Sequence, residues 1–254
     1  MADSVTDESV QIEDALFENL ARPWLSTLLV VVIAAAHLSV AGIMWSRGRD
    51  LVTAVAMARG PRLLSRCGAM QGELVDQGQL WRLVSCIFLH GDGLHLLLNG
   101  VALWALGRIC EAIYGPSRLL WLFLLSGVCG ATFSWLGGNA SSVGASGGVF
   151  GLLGASMVFG WRYRHRLTEP MSAFFRRKLA PWVVLNLVIG AIIPFIDNYG
   201  HVGGLVCGAI LSMIMGNRIV PGEDSAWWVR GVLVLLSMSM IGVAVWGVLG
   251  NWRL

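Results

Sequence analysis

The chain has 254 residues, of which 56% are hydrophobic and only 13% charged, against roughly 25% charged in an ordinary soluble domain. Mean hydropathy is +0.69, and apolar runs of about 18 residues or more recur, each long enough to cross a ~30 Å hydrocarbon core. A soluble globular domain is thereby excluded and an all-α polytopic membrane protein is expected. The net charge of +3 carries little, because the placement of charges matters more than their sum. The 32 glycines are nearly twice the ~7% norm; in a helical membrane bundle, glycine at helix contacts lets backbones approach closely.

Residues 1–21 carry Asp3, Asp7, Glu8, Glu13, Asp14 and Glu18 with no compensating base, and read as a short acidic, mobile tail within a segment 1–23. The segment lacks the basic start of a signal peptide, so no cleaved signal is expected. A first span is expected at about Trp24–Trp45. The connection that follows, about 46–90, holds Arg47, Arg49, Arg59, Arg62, Arg66 and the pair Trp81-Arg82, and is too polar to span. Trp81 beside Arg82 suits the lipid–water interface.

Spans two and three are expected at about Gly93–Tyr114 and Arg118–Leu136, followed by a turn at Asn139-Ala140-Ser141-Ser142 rich in helix-capping residues. Span four covers about Ala145–Trp161, and a basic loop with Arg162, Arg164, Arg166, Arg176, Arg177 and Lys178 leads to span five at about Leu179–Ile196. After the turn Asp197-Asn198-Tyr199-Gly200, span six covers about His201–Met215. A polar loop from Asn217 to Ser225 precedes a seventh span at Trp227–Leu249. No repeat period is visible.

With the N-terminus in the cytosol, 11 basic residues fall inside (Arg22, Arg108, Arg118, the six of the 162–178 loop, Arg218 and Arg230) and 7 outside (Arg47, Arg49, Arg59, Arg62, Arg66, Arg82 and Arg253). The positive-inside rule favours that orientation. The heads of spans four and six then lie toward the non-cytosolic face. Seventeen arginines to one lysine point to a GC-rich genome; with no targeting presequence, a bacterial inner membrane is the expected location. Cys67, Cys86, Cys110, Cys129 and Cys207 are scattered without CxxC spacing, so no metal site is expected.

Two residues invite a chemical reading. Ser146 sits in Gly144-Ala145-Ser146-Gly147-Gly148, and His201 in Gly200-His201-Val202-Gly203-Gly204. Small neighbours let a substrate backbone come close to a nucleophile. Gly147, Gly151 and Ala155, with Gly204 and Gly208, form two small-residue ladders suited to packing span four on span six. The bland reading, in which the glycines serve packing alone and Ser146 caps a helix, stays open on these residues. Span two adds His95 and Asn99, four apart and both inward-facing if the leucines between them face lipid; polar groups within a bilayer are costly and mark function by default. His90 is expected to hold a bend, His37 to be a buried contact and His165 a solvated charge. The chemistry such residues support is acyl transfer. His201 takes the proton of Ser146 Oγ, while the Ser146 N–H, His95 and Asn99 face the oxyanion. Asp197 reads as a turn residue.

In Trp81-Arg82, His90, His95-xxx-Asn99, Glu111, Tyr114-Gly115, Gly144-Ala145-Ser146-Gly147 and Asp197-Asn198-xx-His201-xx-Gly204, the chain resembles the rhomboid family of intramembrane serine proteases. The resemblance implies a six-helix core, residues 24–216, plus one C-terminal transmembrane helix in a segment 217–254. It implies a Ser146–His201 dyad without an acidic third member, His95 and Asn99 stabilising the oxyanion, and Phe150 packed against the catalytic histidine. It further implies transmembrane protein substrates, usually single-pass, met within the lipid bilayer, no nucleic acid partner, and no metal or cofactor. The alternative is a rhomboid-like pseudoenzyme that binds membrane clients without cutting them; inactive relatives usually lack the serine or the histidine, and this chain has both. A small transporter is a weaker third reading, since no internal symmetry is seen.

Overall fold

Residues 7–56, 60–193, 196–224 and 226–251 are described by a computed structural model. Arg59 and Arg253, counted above for orientation, lie outside these residues, as do 1–6 of the acidic segment and Ser225 of the last loop. In chain order the helices are α1 (Asp7–Leu20), α2 (Trp24–Ser46), α3 (Leu51–Ala56), α4 (Pro61–Cys67), α5 (Gly72–Asp76), α6 (Arg82–Ser85), α7 (Gly93–Tyr114), α8 (Pro116–Leu136), α9 (Ser146–Arg162), α10 (Glu169–Ala173), α11 (Ala180–Ile192), α12 (Asn198–Ile214) and α13 (Trp227–Asn251). Two short strands, β1 (Met70–Gln71) and β2 (Ser141–Ser142), pair antiparallel and tie the first long connection to the loop before α9.

All seven expected spans form helices, and the chain is a mostly helical, polytopic membrane protein. The helical run through α2, together with α7, α8 and α13, is long and apolar enough to cross a bilayer. The remaining three are shorter than membrane length. Helices α9 and α12 have 17 residues each, which at 1.5 Å per residue is about 26 Å. Helix α11 has 13 and stops at Ile192 rather than Ile196. The reason is local: Ile193 precedes Pro194 and takes an extended conformation (φ −96°, ψ 111°), as the steric demand of the proline ring requires.

Two expectations need correction. The acidic segment is not a mobile tail from residue 7 onward but the 14-residue helix α1. Ile12 and Leu16, four apart and so on one face, are buried in the main core. Glu8 pairs with Arg166, and Thr168 Oγ1 donates to Glu13 Oε2 at 2.6 Å. The acids answer the basic loop after α9, a partner some 155 residues away in sequence. Arg82, expected at the interface, is 1% exposed. Its Nη1 donates to the carbonyls of Ser65 (2.7 Å) and Ala69 (2.9 Å), its Nε donates to Gln79 Oε1, and its guanidinium lies 4.5 Å from the Trp81 ring. It organises the connection from inside.

The centre of the fold is the triplet α8, α9 and α12. A Cβ added at Gly204 would overlap the Gly147 carbonyl, and one at Gly208 the Gly151 carbonyl. One at Gly130 of α8 would lie 2.6 Å from the Gly200 carbonyl. Backbone touches backbone at all three places, as small residues at membrane helix contacts permit. At the other end, Glu111 of α7 accepts from the N–H groups of Leu25 (3.0 Å) and Ser26 (2.8 Å) and from Ser26 Oγ (2.6 Å). A buried carboxylate from one helix thus satisfies the unpaired N-terminal donors of another, α2.

Candidate active site

Helix α9 begins at Ser146, and its N-cap is Ala145, with no side-chain capping bond. The reading in which Ser146 serves as a side-chain cap therefore loses its support. Ser146 is half-buried at the head of a helix of which most other residues are buried. The N–H groups of that first turn point out of the helix end, where the dipole favours negative charge.

His201 lies in the first turn of α12, 8% exposed. Its neighbour Gly200 sets the approach: a Cβ at Gly147, next to Ser146, would lie 3.5 Å from the Gly200 carbonyl. One turn into α9, the Phe150 ring stacks on the His201 ring with centroids 4.2 Å apart and planes 8° from parallel. The contact expected between Phe150 and His201 is present, and it is pure packing, since phenylalanine has no hydroxyl to offer. Among the described residues no hydrogen bond joins Ser146 to His201, and His201 Nδ1 is buried without a partner.

His95 and Asn99 stand on α7 against the segment that leads into Ser146. A Cβ at Gly144 would come within 2.8 Å of His95 Nε2 and 3.8 Å of Asn99 Nδ2. Gly144 also has φ +130°, so both its conformation and its surroundings exclude a side chain. Leu94, Leu97 and Leu98 are each at least 60% exposed while Asn99 is buried. The polar pair therefore faces inward, as the spacing requires. Asn99 Nδ2 donates to the His95 carbonyl at 3.0 Å, and Asp92 caps α7 by accepting from the His95 N–H at 2.8 Å. His90 is buried with its ring edge toward His95, centroids 5.1 Å apart. The structure thus gathers Ser146, His201, Phe150, His95 and Asn99 at one end of the α7–α9–α12 cluster. His37 is buried, and its Nε2–H donates to the Val55 carbonyl at 2.9 Å. His165 is exposed in the basic loop.

Asp197 does more than the turn expected of it. Asp197 does make a turn, accepting from the Gly200 N–H at 2.9 Å to cap α12. Its carboxylate also accepts from Asn139 Nδ2 and Ser142 Oγ, both at 2.7 Å. Asn139 and Ser142 of that turn therefore bond to Asp197 instead of capping α9. They tie the loop before Ser146 to the helix start that bears His201. The signal available was three polar residues short of any helix, and nothing in their spacing names the partner.

Comparison with known proteins agrees with this architecture. The rhomboid domain family matches residues 77–218. The chain is 33% identical over 219 residues to RHOMBOID-like protein 5 of Arabidopsis thaliana, covering 76% of this chain and 69% of that one. It is 34% identical over 149 residues to Rhomboid protease GluP of Bacillus subtilis (strain 168), covering 59% of this chain and 29% of that protein. It is 30% identical over 168 residues to Rhomboid protease AarA of Providencia stuartii, covering 58% and 59%. The matched region is thus less than two thirds of either protease's length.

Proposed function

This chain belongs to the rhomboid family, and on that premise we propose that it is an intramembrane serine endopeptidase cutting transmembrane segments of other membrane proteins. The observation that carries the reading is the pairing of two helix heads. The serine-bearing turn of α9 and the histidine-bearing turn of α12 meet through glycines, with Phe150 holding the imidazole by its face.

In this reading His201 accepts the Ser146 Oγ proton as the oxygen attacks the scissile carbonyl. The oxyanion that forms is met by the Ser146 N–H at the positive end of α9 and by the His95 and Asn99 side chains beside Gly144. The proton on His201 then passes to the leaving amine. Water, deprotonated by the same histidine, then attacks the acyl carbonyl, and His201 returns that proton to Ser146 Oγ as the acid is released. Asp197 acts on the geometry of the loop and helix start, not as a third catalytic member. The orientation that the arginines favour puts the site toward the non-cytosolic face of a bacterial inner membrane.

The test is labelling of the detergent-solubilised protein by a fluorophosphonate, with cleavage of a single-pass transmembrane substrate followed in parallel. Wild type is expected to label and to cut. Ser146→Ala and His201→Ala are each expected to lose both while keeping the wild-type thermal midpoint within a few degrees. A wild type that binds the substrate without labelling or cutting would replace the protease with a client-binding protein.

A further inference from the structure

The long helices α2 and α13 do not close on each other. Helix α13 packs on α8 and α6, and α2 packs on α7 and α3. Between them lies a cavity of about 390 Å³, walled by Val32, Ala36 and Ile43 of α2, Val245 and Val248 of α13, and Leu89 beneath. Its few polar side chains are already engaged: Ser39 Oγ donates to the Ala35 carbonyl (2.8 Å) and Ser85 Oγ to the Gly68 carbonyl (2.6 Å). Water held there would find too few partners. At bilayer depth the space calls for hydrocarbon, because an unfilled gap forfeits the dispersion contacts of its walls.

A flexible acyl chain can follow such a groove. Charge decides the headgroup. The groove-facing stripe of α2 continues from Ile43 to Arg47, four residues on, at the exposed C-cap of the helix. Exposed Arg66 adjoins the lining residue Cys67, and its carbonyl accepts from Asn251 Nδ2 at the end of α13 (3.0 Å). Both arginines therefore stand at one end of the groove, where the helices reach the membrane surface. Asp50, the nearby acid, accepts from the Thr53 N–H (2.9 Å).

We propose that the groove between α2 and α13 binds one anionic phospholipid, an acyl chain lying against Val32, Ala36 and Val245 and the phosphate meeting Arg47 and Arg66. The lipid fills the space that the seventh span leaves beside the core. The site is separate from Ser146 and His201, so it stands or falls independently of the protease reading.

The experiment is native mass spectrometry of the full chain released from nanodiscs of phosphatidylcholine, with or without phosphatidylglycerol. Wild type is expected to retain one phosphatidylglycerol in preference to phosphatidylcholine. Val245→Trp, which fills the groove from a half-exposed position, should lose the bound lipid. An Arg47→Ser, Arg66→Ser double variant, which leaves the groove untouched, should lose the preference for phosphatidylglycerol. Equal retention of the two lipids by wild type, or undiminished retention by both variants, would overturn the proposal. So would recovery of a peptide in place of lipid.

Discussion

Helices α11 and α12 are both apolar and adjacent in sequence, yet they are held in opposite ways. Helix α11 is the more uniformly apolar of the two. It nonetheless buries only Val183 and Gly190, while Trp182, Val184, Leu185, Val188 and Ile192 are exposed. Toward one end Asn198 Nδ2 donates to the Leu187 carbonyl at 3.0 Å and Gly190 abuts the Asn198 side chain, and toward the other Val183 joins the main core. Helix α12 buries Gly200, His201, Gly203, Gly204 and Gly208 against α8 and α9. Apolarity carries a helix into the bilayer, but lipid is as good an apolar partner as leucine. Small residues that admit a neighbouring backbone decide which helices are welded together.

That contrast can be broken most directly at Gly204. Gly204→Val puts a branched side chain into the Gly147 carbonyl, and backbone cannot swing aside as a flexible side chain can. A loss on the order of 3 kcal/mol or more is expected, read as failure to recover folded protein or a collapse of the thermal midpoint. Full stability would show that the α9–α12 contact has been misplaced. Asp197→Ala removes three acceptor contacts at the end of the same weld. It should cost about 2 kcal/mol in denaturation and slow fluorophosphonate labelling, whereas an unchanged labelling rate would confine Asp197 to stability.

Asn99→Ala sharpens the comparison from the chemical side. It removes one donor among several near the Ser146 loop, so cleavage should fall by roughly 10- to 1,000-fold without abolition. Untouched cleavage would reassign Asn99 to structure. The smallest effect belongs to α11. Val188→Leu, on its lipid-facing side, should change stability by less than about 0.5 kcal/mol. A large loss would reveal a packing partner for that face.

The spans and the approach of the two helix heads bearing Ser146 and His201 were legible because each rests on a local pattern. A membrane-length apolar run announces a helix, and glycine ladders beside a serine and a histidine announce close approach. The His95–Asn99 stripe was legible for the same reason, through helical spacing alone. What escaped depended on residues far apart in the chain. The acids of α1 look like a mobile tail until Arg166 and Thr168 stand opposite them. Arg82 looks interfacial until the carbonyls of Ser65 and Ala69 surround its guanidinium. Asp197 looks like a turn until Asn139 and Ser142 reach it.

The sequence by itself thus determined the membrane class and the places of the seven expected spans, since hydropathy and spacing are properties of short stretches. Only the tertiary structure decided that Glu111 would cap α2, that α11 would stay at the lipid face, and that α2 and α13 would leave a groove between them. Those outcomes are set by which backbones can come within contact distance, and that depends on the shape of two surfaces together rather than on either segment alone.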